Sequence, residues 1–286
     1  QGSNTHGNQY ISSALSNRAR YVITDSIWDN NFNNKILKVQ NTLDFLQRVA
    51  IKKRDHFKGK VIAITGSVGK TTIKEFLRFF LSSEGNVSAS IKSYNNYLGV
   101  LVSLINMDKN SIFSIFEIGT NNFNEIKKLS SLILPHQVII SNIYHTHLEK
   151  FGSTRNIATE KSYLMNPRYN TNIELVILPN SNKDEIYLIE LAKKYSINSI
   201  ITFGNQNQAD YSIKTIEKSK NFLSNVTYKT PSGKINFKTS TSFKHQILNM
   251  LIPVIVYEYN QLNIENFLNK TNNIPFIEGR GLFHNI

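Results

Sequence analysis

Val61-Ile62-Ala63-Ile64-Thr65-Gly66-Ser67-Val68-Gly69-Lys70-Thr71-Thr72 reads as an apolar strand, a glycine turn and the start of a helix. A continuous apolar run that feeds a helix through a short turn is the βα unit of a parallel sheet buried on both faces. The turn, Thr65 to Thr72, sits where a phosphate loop must sit. There the unpaired N–H groups and the positive end of the helix dipole face a ligand. Gly66 and Gly69 let the backbone wrap closely around phosphates, Lys70 neutralises their charge, and the Thr71 hydroxyl is placed to ligate Mg²⁺. The loop departs from the common spacing in one respect: Ile64 stands where the first glycine is usual.

Working outward, Ile73, Phe76, Leu77 and Phe80 recur at helical spacing after Lys70. Ile112 to Ile118, Val138 to Asn142, Leu175 to Leu178 and Ser199 to Phe203 read as further strands, with helices over 124–132 and 185–195 between them. The spacing predicts a doubly wound, mostly parallel α/β sheet. Short alternating segments at Tyr211-Ser212-Ile213 and Asn225-Val226-Thr227-Tyr228, with Pro231-Ser232-Gly233 as a turn, predict a small antiparallel β portion. One helix is expected from His245 to Tyr259. On the amino-terminal side, a short helix near Ala14 and a strand at Tyr21-Val22-Ile23 are too little to fold alone. An amphipathic helix follows, carrying Val39, Thr42, Leu43, Leu46 and Ala50. The expected division is 1–28 as part of an amino-terminal domain, 29–58 as linker and helix, 59–282 as a central nucleotide-binding domain, and 283–286 as the start of a further linker.

Composition narrows the class. The 286 residues are 40% apolar and include no cysteine. That excludes a disulfide framework, a thiolate metal site and a cysteine nucleophile, and the expected setting is cytoplasmic. The longest apolar stretch, 247–256, is interrupted by Asn249 and Pro253 and falls short of the ~20 residues a membrane span needs. The chain begins with Gln, without a signal-like pattern, and reads as a cut end. A net charge of +13 suits anionic partners, yet the lysines are scattered and no basic run carries interleaved aromatics. A solvated surface is expected, and no nucleic-acid patch.

Several blocks downstream of the loop carry candidate chemistry. Glu117, at the carboxyl end of a parallel strand beside the loop, is a candidate Mg²⁺ ligand. His147 follows the next strand by a few residues and can reach the same crevice. His245 and Asn249 lie four apart on one helix face. Lys161, by pattern alone, is an ordinary helix lysine.

Together these residues resemble the Mur ligases, and among them the branch that adds D-alanyl-D-alanine. Ser93-Tyr94-Asn95-Asn96-Tyr97-Leu98-Gly99-Val100 is similar to the family's NNxxGVP segment, with Leu101 in place of proline. Phe116-Glu117-Ile118-Gly119-Thr120-Asn121, continued by Glu125-Ile126, resembles the ExGxNxxGEI block, with Asn124 in the glycine position. His147-Leu148-Glu149-Lys150-Phe151-Gly152-Ser153 is similar to HLExFGS, and Lys161 to its downstream lysine. His245-Gln246-Ile247-Leu248-Asn249 resembles an adenine-contacting HNxxN block, and Gly279-Arg280 a GR pair whose arginine reaches the γ-phosphate. Thr5-His6-Gly7-Asn8-Gln9-Tyr10-Ile11 looks like the DGHDFI stretch of a UDP-sugar domain.

The resemblance implies an ATP-dependent amide ligase of peptidoglycan precursor synthesis, joining D-Ala-D-Ala to UDP-MurNAc-tripeptide through an acyl phosphate. It implies ATP and Mg²⁺ as cofactors, with Thr71, Glu117, His147 and a carbamylated Lys161 around two metal ions. Lys70 and Arg280 would stabilise the transferred phosphoryl group, and Asn95 or Asn96 would line the substrate crevice. A monomer is expected. Because the family's third domain follows the GR pair, the sequence also predicts ATP binding with little or no ligation by these 286 residues alone. The alternatives are a P-loop module that binds nucleotide without ligating, or a sister ligase of the folylpolyglutamate type. The 116–121 block speaks against the latter.

Overall fold

The computed structural model describes residues 7–26, 33–91, 94–205, 208–218 and 223–275. Its centre is a nine-stranded sheet. In chain order its strands are β3 (Lys60–Thr65), β4 (Val87–Ala89), β5 (Phe113–Glu117), β6 (Gln137–Ile140), β7 (Leu175–Pro179), β8 (Ile200–Gly204), β9 (Tyr211–Lys218), β10 (Ser224–Thr230) and β11 (Gly233–Thr239). Across the sheet they run β11-β10-β9-β8-β7-β6-β3-β5-β4. Every neighbouring pair from β4 to β9 is parallel, and β10 is antiparallel to both β9 and β11. The expected antiparallel portion is therefore a continuation of the main sheet. Its hairpin turns at Pro231 and Ser232, since Thr230 pairs with Gly233.

The period of two along β3 divides the core. Val61 and Ala63 point into one apolar cluster, with Val138, Ile140, Val176 and Leu178. Ile62 and Ile64 point into the other, with Ile115, Ile139 and Ile177. Helices cover both clusters: α2 (Thr42–His56), α4 (Tyr97–Ile105), α5 (Glu125–Ile133), α7 (Thr154–Ser162) and α8 (Lys183–Lys194) on the first, α3 (Lys70–Leu81), α9 (Lys244–Asn249), α10 (Leu251–Tyr259) and α11 (Ile264–Leu268) on the second. This is a doubly wound α/β sheet. Ile73, Phe76, Leu77 and Phe80 are buried as the helical spacing predicts. Ile64, in the usual glycine position, is a strand residue with no exposed surface; it pairs with Glu117 of β5.

The helix expected over 245–259 is two helices that meet at Met250. Pro253 has no N–H to return to the carbonyl of Asn249, four residues back, and that missing bond falls at the junction.

Upstream, α1 (Ile11–Ser16) leads to a two-stranded parallel pair, β1 (Val22–Thr24) with β2 (Ile36–Lys38). β2 lies in the stretch read from sequence as a linker. Helix α2 is capped by Asn41, whose side chain accepts from the N–H groups of Leu43 and Asp44. It is bolted to the main body by buried Arg54, which donates to the carbonyls of Ile133 (2.6 Å) and Leu134 (2.7 Å) at the end of α5. Among the described residues no helix is long and apolar enough to cross a membrane.

Candidate functional site

β3 has β5 on one side and β6 on the other. The loops leaving these strands separate at their carboxyl ends and open a crevice where ligands bind in such sheets. A cavity of about 1380 Å³ lies there. Its lining includes Gly66, Ser67, Lys70, His147 and Lys161, Asn95 and Asn96, and Leu43 and Leu46 of α2.

The glycine turn follows its sequence. Gly66 adopts φ 143° and Gly69 φ 86°, backbone that side-chain-bearing residues rarely take. A Cβ on Gly66 would lie 1.9 Å from Ser141 Oγ. Gly69 ends the turn, and the Ile73 N–H donates to its carbonyl to start α3. Buried Asn249 packs against Gly69, so α9 brings one of its two candidate residues to the loop. His245 is exposed and stacks obliquely on Phe243, 5.6 Å between ring centres.

Two lysines converge on one carbonyl. Lys70 Nζ donates to the Gly66 carbonyl at 2.9 Å, and Lys161 Nζ donates to the same oxygen at 3.0 Å. Lys161 is buried, so far from an ordinary helix lysine. Burial first, and then the charge of Lys70, push its pKa down to about 7, against the opposite pull of Glu160. Both causes favour the free amine, the nucleophilic form of a lysine. Glu160, its neighbour, accepts from the N–H groups of Asn124 (2.9 Å) and Ile126 (3.0 Å) and caps α5.

Across the turn, Thr71 Oγ1 donates to Glu117 Oε2 at 2.8 Å. Asn95 Nδ2 donates to the other oxygen, Oε1, at 3.0 Å. The two asparagines thus separate: Asn95 holds the carboxylate, while Asn96 caps α4 by accepting from the Gly99 N–H at 2.9 Å. A hydroxyl and a carboxylate side by side at a phosphate loop suit Mg²⁺, a hard cation that takes one or two protein carboxylates and fills its octahedron with phosphate oxygens and water. No group of three or more His, Asp or Glu converges among the described residues, so a metal here would depend on those outside ligands. Lys161, as an ammonium, offers no lone pair and does not fit a metal in this form.

His147 has a positive φ of 56° at the start of the short helix α6 (Leu148–Phe151). Its Nδ1 lies 3.9 Å from Glu149 Oε1. The loop that leads to it is tied to the phosphate loop by contacts invisible in sequence. Ser67 Oγ accepts from the Tyr144 N–H (2.9 Å) and from Thr146 Oγ1 (3.1 Å). Asn142 clasps Val68 on both sides, accepting from its N–H at 2.9 Å and donating to its carbonyl at 3.0 Å. Thr65 and Thr72 are buried at the two ends of the turn. Arg280 and Thr5-His6 lie outside the described residues.

Comparison with known proteins places the fold in a family. Residues 64–257 match the Mur ligase middle domain. The UDP-N-acetylmuramoyl-tripeptide–D-alanyl-D-alanine ligase of Rickettsia prowazekii is 37% identical over 206 residues, covering 72% of this chain and 45% of that protein. The enzyme of the same name from Buchnera aphidicola subsp. Baizongia pistaciae is 28% identical over 280 residues, 98% of this chain and 59% of that one. The crystal structure of MurF from Acinetobacter baumannii superimposes with a TM-score of 0.84 at 26% identity, covering 98% of this chain and 60% of that one. The chain thus spans about half the length of the curated relatives it matches. With the middle-domain match running from the phosphate-loop strand into α10, the chain belongs to the Mur ligase family.

Proposed function

We propose that this chain is the nucleotide-binding part of an ATP-dependent ligase that joins D-Ala-D-Ala to UDP-MurNAc-tripeptide. The observation that carries this reading is the Glu117 carboxylate held between Thr71 of the phosphate loop and Asn95 of the cavity wall. Asn95 lines the same cavity as Gly66, Ser67 and Lys70 of the phosphate loop, and the relatives named above carry this activity in their names.

In the proposed reaction a carboxylate oxygen of the tripeptide attacks the γ-phosphorus of ATP and ADP leaves. The amine of D-Ala-D-Ala then attacks the acyl carbon, phosphate departs, and the amine gives up a proton. The chain's contribution is positioning and charge neutralisation. The turn from Thr65 to Thr72 holds the phosphates, with Lys70 released from the Gly66 carbonyl to meet them. Arg280 supplies a guanidinium to the γ-phosphate, Asn249 and His245 border the base, and Asn96 keeps α4 in register beside the acceptor. Thr71 and Glu117 would hold Mg²⁺, which when bound offsets the negative charge of the phosphate oxygens. A second Mg²⁺ would fall to Glu117, His147 and Lys161. For that, the Lys161 amine must first add CO₂ and release a proton to become a carbamate, which its lowered pKa favours.

The test is product formation by the protein that carries this chain, given Mg·ATP, UDP-MurNAc-tripeptide and D-Ala-D-Ala. The proposal expects UDP-MurNAc-pentapeptide by mass spectrometry, one phosphate per product, and loss of both in Lys70→Ala. ATP binding without phosphate release in the presence of both substrates would contradict it and favour a binding module.

A further inference from the structure

One turn along α3 from the phosphate loop, Lys74 has no exposed surface. Desolvating an ammonium is costly unless it is well paired. Lys74 Nζ lies 3.2 Å from Glu75 Oε1 and donates to the Ser90 carbonyl at 3.0 Å. Ser90 directly follows β4, a three-residue strand at the edge of the sheet. It is stitched to β5 in turn: its N–H donates to the Ile115 carbonyl at 2.9 Å, and its Oγ accepts from the Glu117 N–H at 3.1 Å. A continuous path therefore runs from the Lys74 ammonium through Ser90 to the backbone of Glu117. The carboxylate of that same residue receives Thr71 and Asn95.

We propose that Lys74, acting through Ser90, is a positioning residue that fixes the Glu117 carboxylate for binding a divalent cation with the nucleotide. An edge strand this short makes few ladder bonds, so the residue that follows it needs an outside anchor to present a hydroxyl at fixed height. Lys74 supplies that anchor from the helix that also carries Thr71. The two groups flanking the cation are thereby set by one rigid element. Partners behind a metal ligand commonly change metal affinity by about 10–100-fold when removed. This inference rests on the reading that Glu117 holds the Mg²⁺ of bound ATP.

The experiment measures ATP affinity of the 286-residue chain as Mg²⁺ is titrated, and again without Mg²⁺, for wild type, Glu117→Gln, Lys74→Met, Ser90→Ala and Ser90→Thr. The inference expects Lys74→Met and Ser90→Ala each to raise the half-saturating Mg²⁺ concentration about tenfold. Mg²⁺-free ATP affinity stays at the wild-type value, Ser90→Thr restores the Mg²⁺ response, and the double variant loses no more than either single one. Should Lys74→Met fail to fold, Ser90→Ala and its threonine rescue decide. Wild-type Mg²⁺ response in Ser90→Ala, alongside a lost response in Glu117→Gln, overturns the inference and spares the reading of Glu117. An undiminished response in Glu117→Gln overturns both.

Discussion

Thr71 and Glu117, 46 positions apart in sequence, meet in a 2.8 Å hydrogen bond. The contact follows from the parallel pairing of β3 with β5, which sets Ile64 opposite Glu117 and so brings the end of one strand beside the turn that leaves the other. A hydroxyl donor now occupies the carboxylate oxygen that a cation would claim.

Asn95 and Asn96 are adjacent and chemically identical, yet their predicted losses differ in kind. Asn96→Ala removes a helix cap and should cost about 1 kcal/mol of stability, seen in urea unfolding, with the Mg²⁺ response of ATP binding unchanged. Asn95→Ala frees Glu117 Oε1 and should weaken that response several-fold.

Gly66→Ala should disrupt the loop on two counts. Its φ of 143° disfavours any side chain, and the new Cβ would overlap Ser141 Oγ at 1.9 Å. Strain of this kind costs on the order of 1–3 kcal/mol, so thermal unfolding should shift down and ATP binding should fall by at least tenfold. Gly233→Ala, also at positive φ but with nothing within 4 Å of the new Cβ, is the control for backbone strain alone and should leave ATP binding intact.

Much of this was legible in the chain itself. The continuous apolar run from Val61, the glycine turn after it and the helical spacing of Ile73, Phe76, Leu77 and Phe80 are each a local signal, and all three agree. Asn124, read as standing in a glycine position, has φ 68°, a conformation asparagine tolerates better than most residues. Helix α4 escaped because Tyr97 to Ile105 is apolar nearly all round and lacks an amphipathic stripe. β4 and β2 are too short to show alternation. The burial of Lys161 and of Lys74 escaped because it is decided by packing between distant elements: Lys161 reaches Gly66 across 95 positions. The ties between Ser67 and the 144–146 segment are likewise tertiary, and no local signal marks them.

The depressed pKa of Lys161 predicts a pH-dependent stability in the absence of metal and nucleotide. Below about pH 7 the side chain is charged in both folded and unfolded chains, and the folded state bears the full burial penalty. As pH rises from about 7 towards the ordinary lysine value of ~10.4, the folded chain holds fewer protons than the unfolded one, and stability rises. Lys161→Met should remove this contribution. The melting temperature of wild type relative to the variant should therefore climb between pH 7 and 10, and a constant difference would contradict the assignment.

The pairing of Thr71 with Glu117 as the cation site is tested most directly by ATP titration with and without Mg²⁺ on wild type, Thr71→Val, Glu117→Gln and the double variant. The account predicts that Mg²⁺ tightens wild-type binding at least tenfold, that either substitution abolishes most of the gain, and that the double variant loses little more. A full Mg²⁺ gain in Glu117→Gln would contradict it.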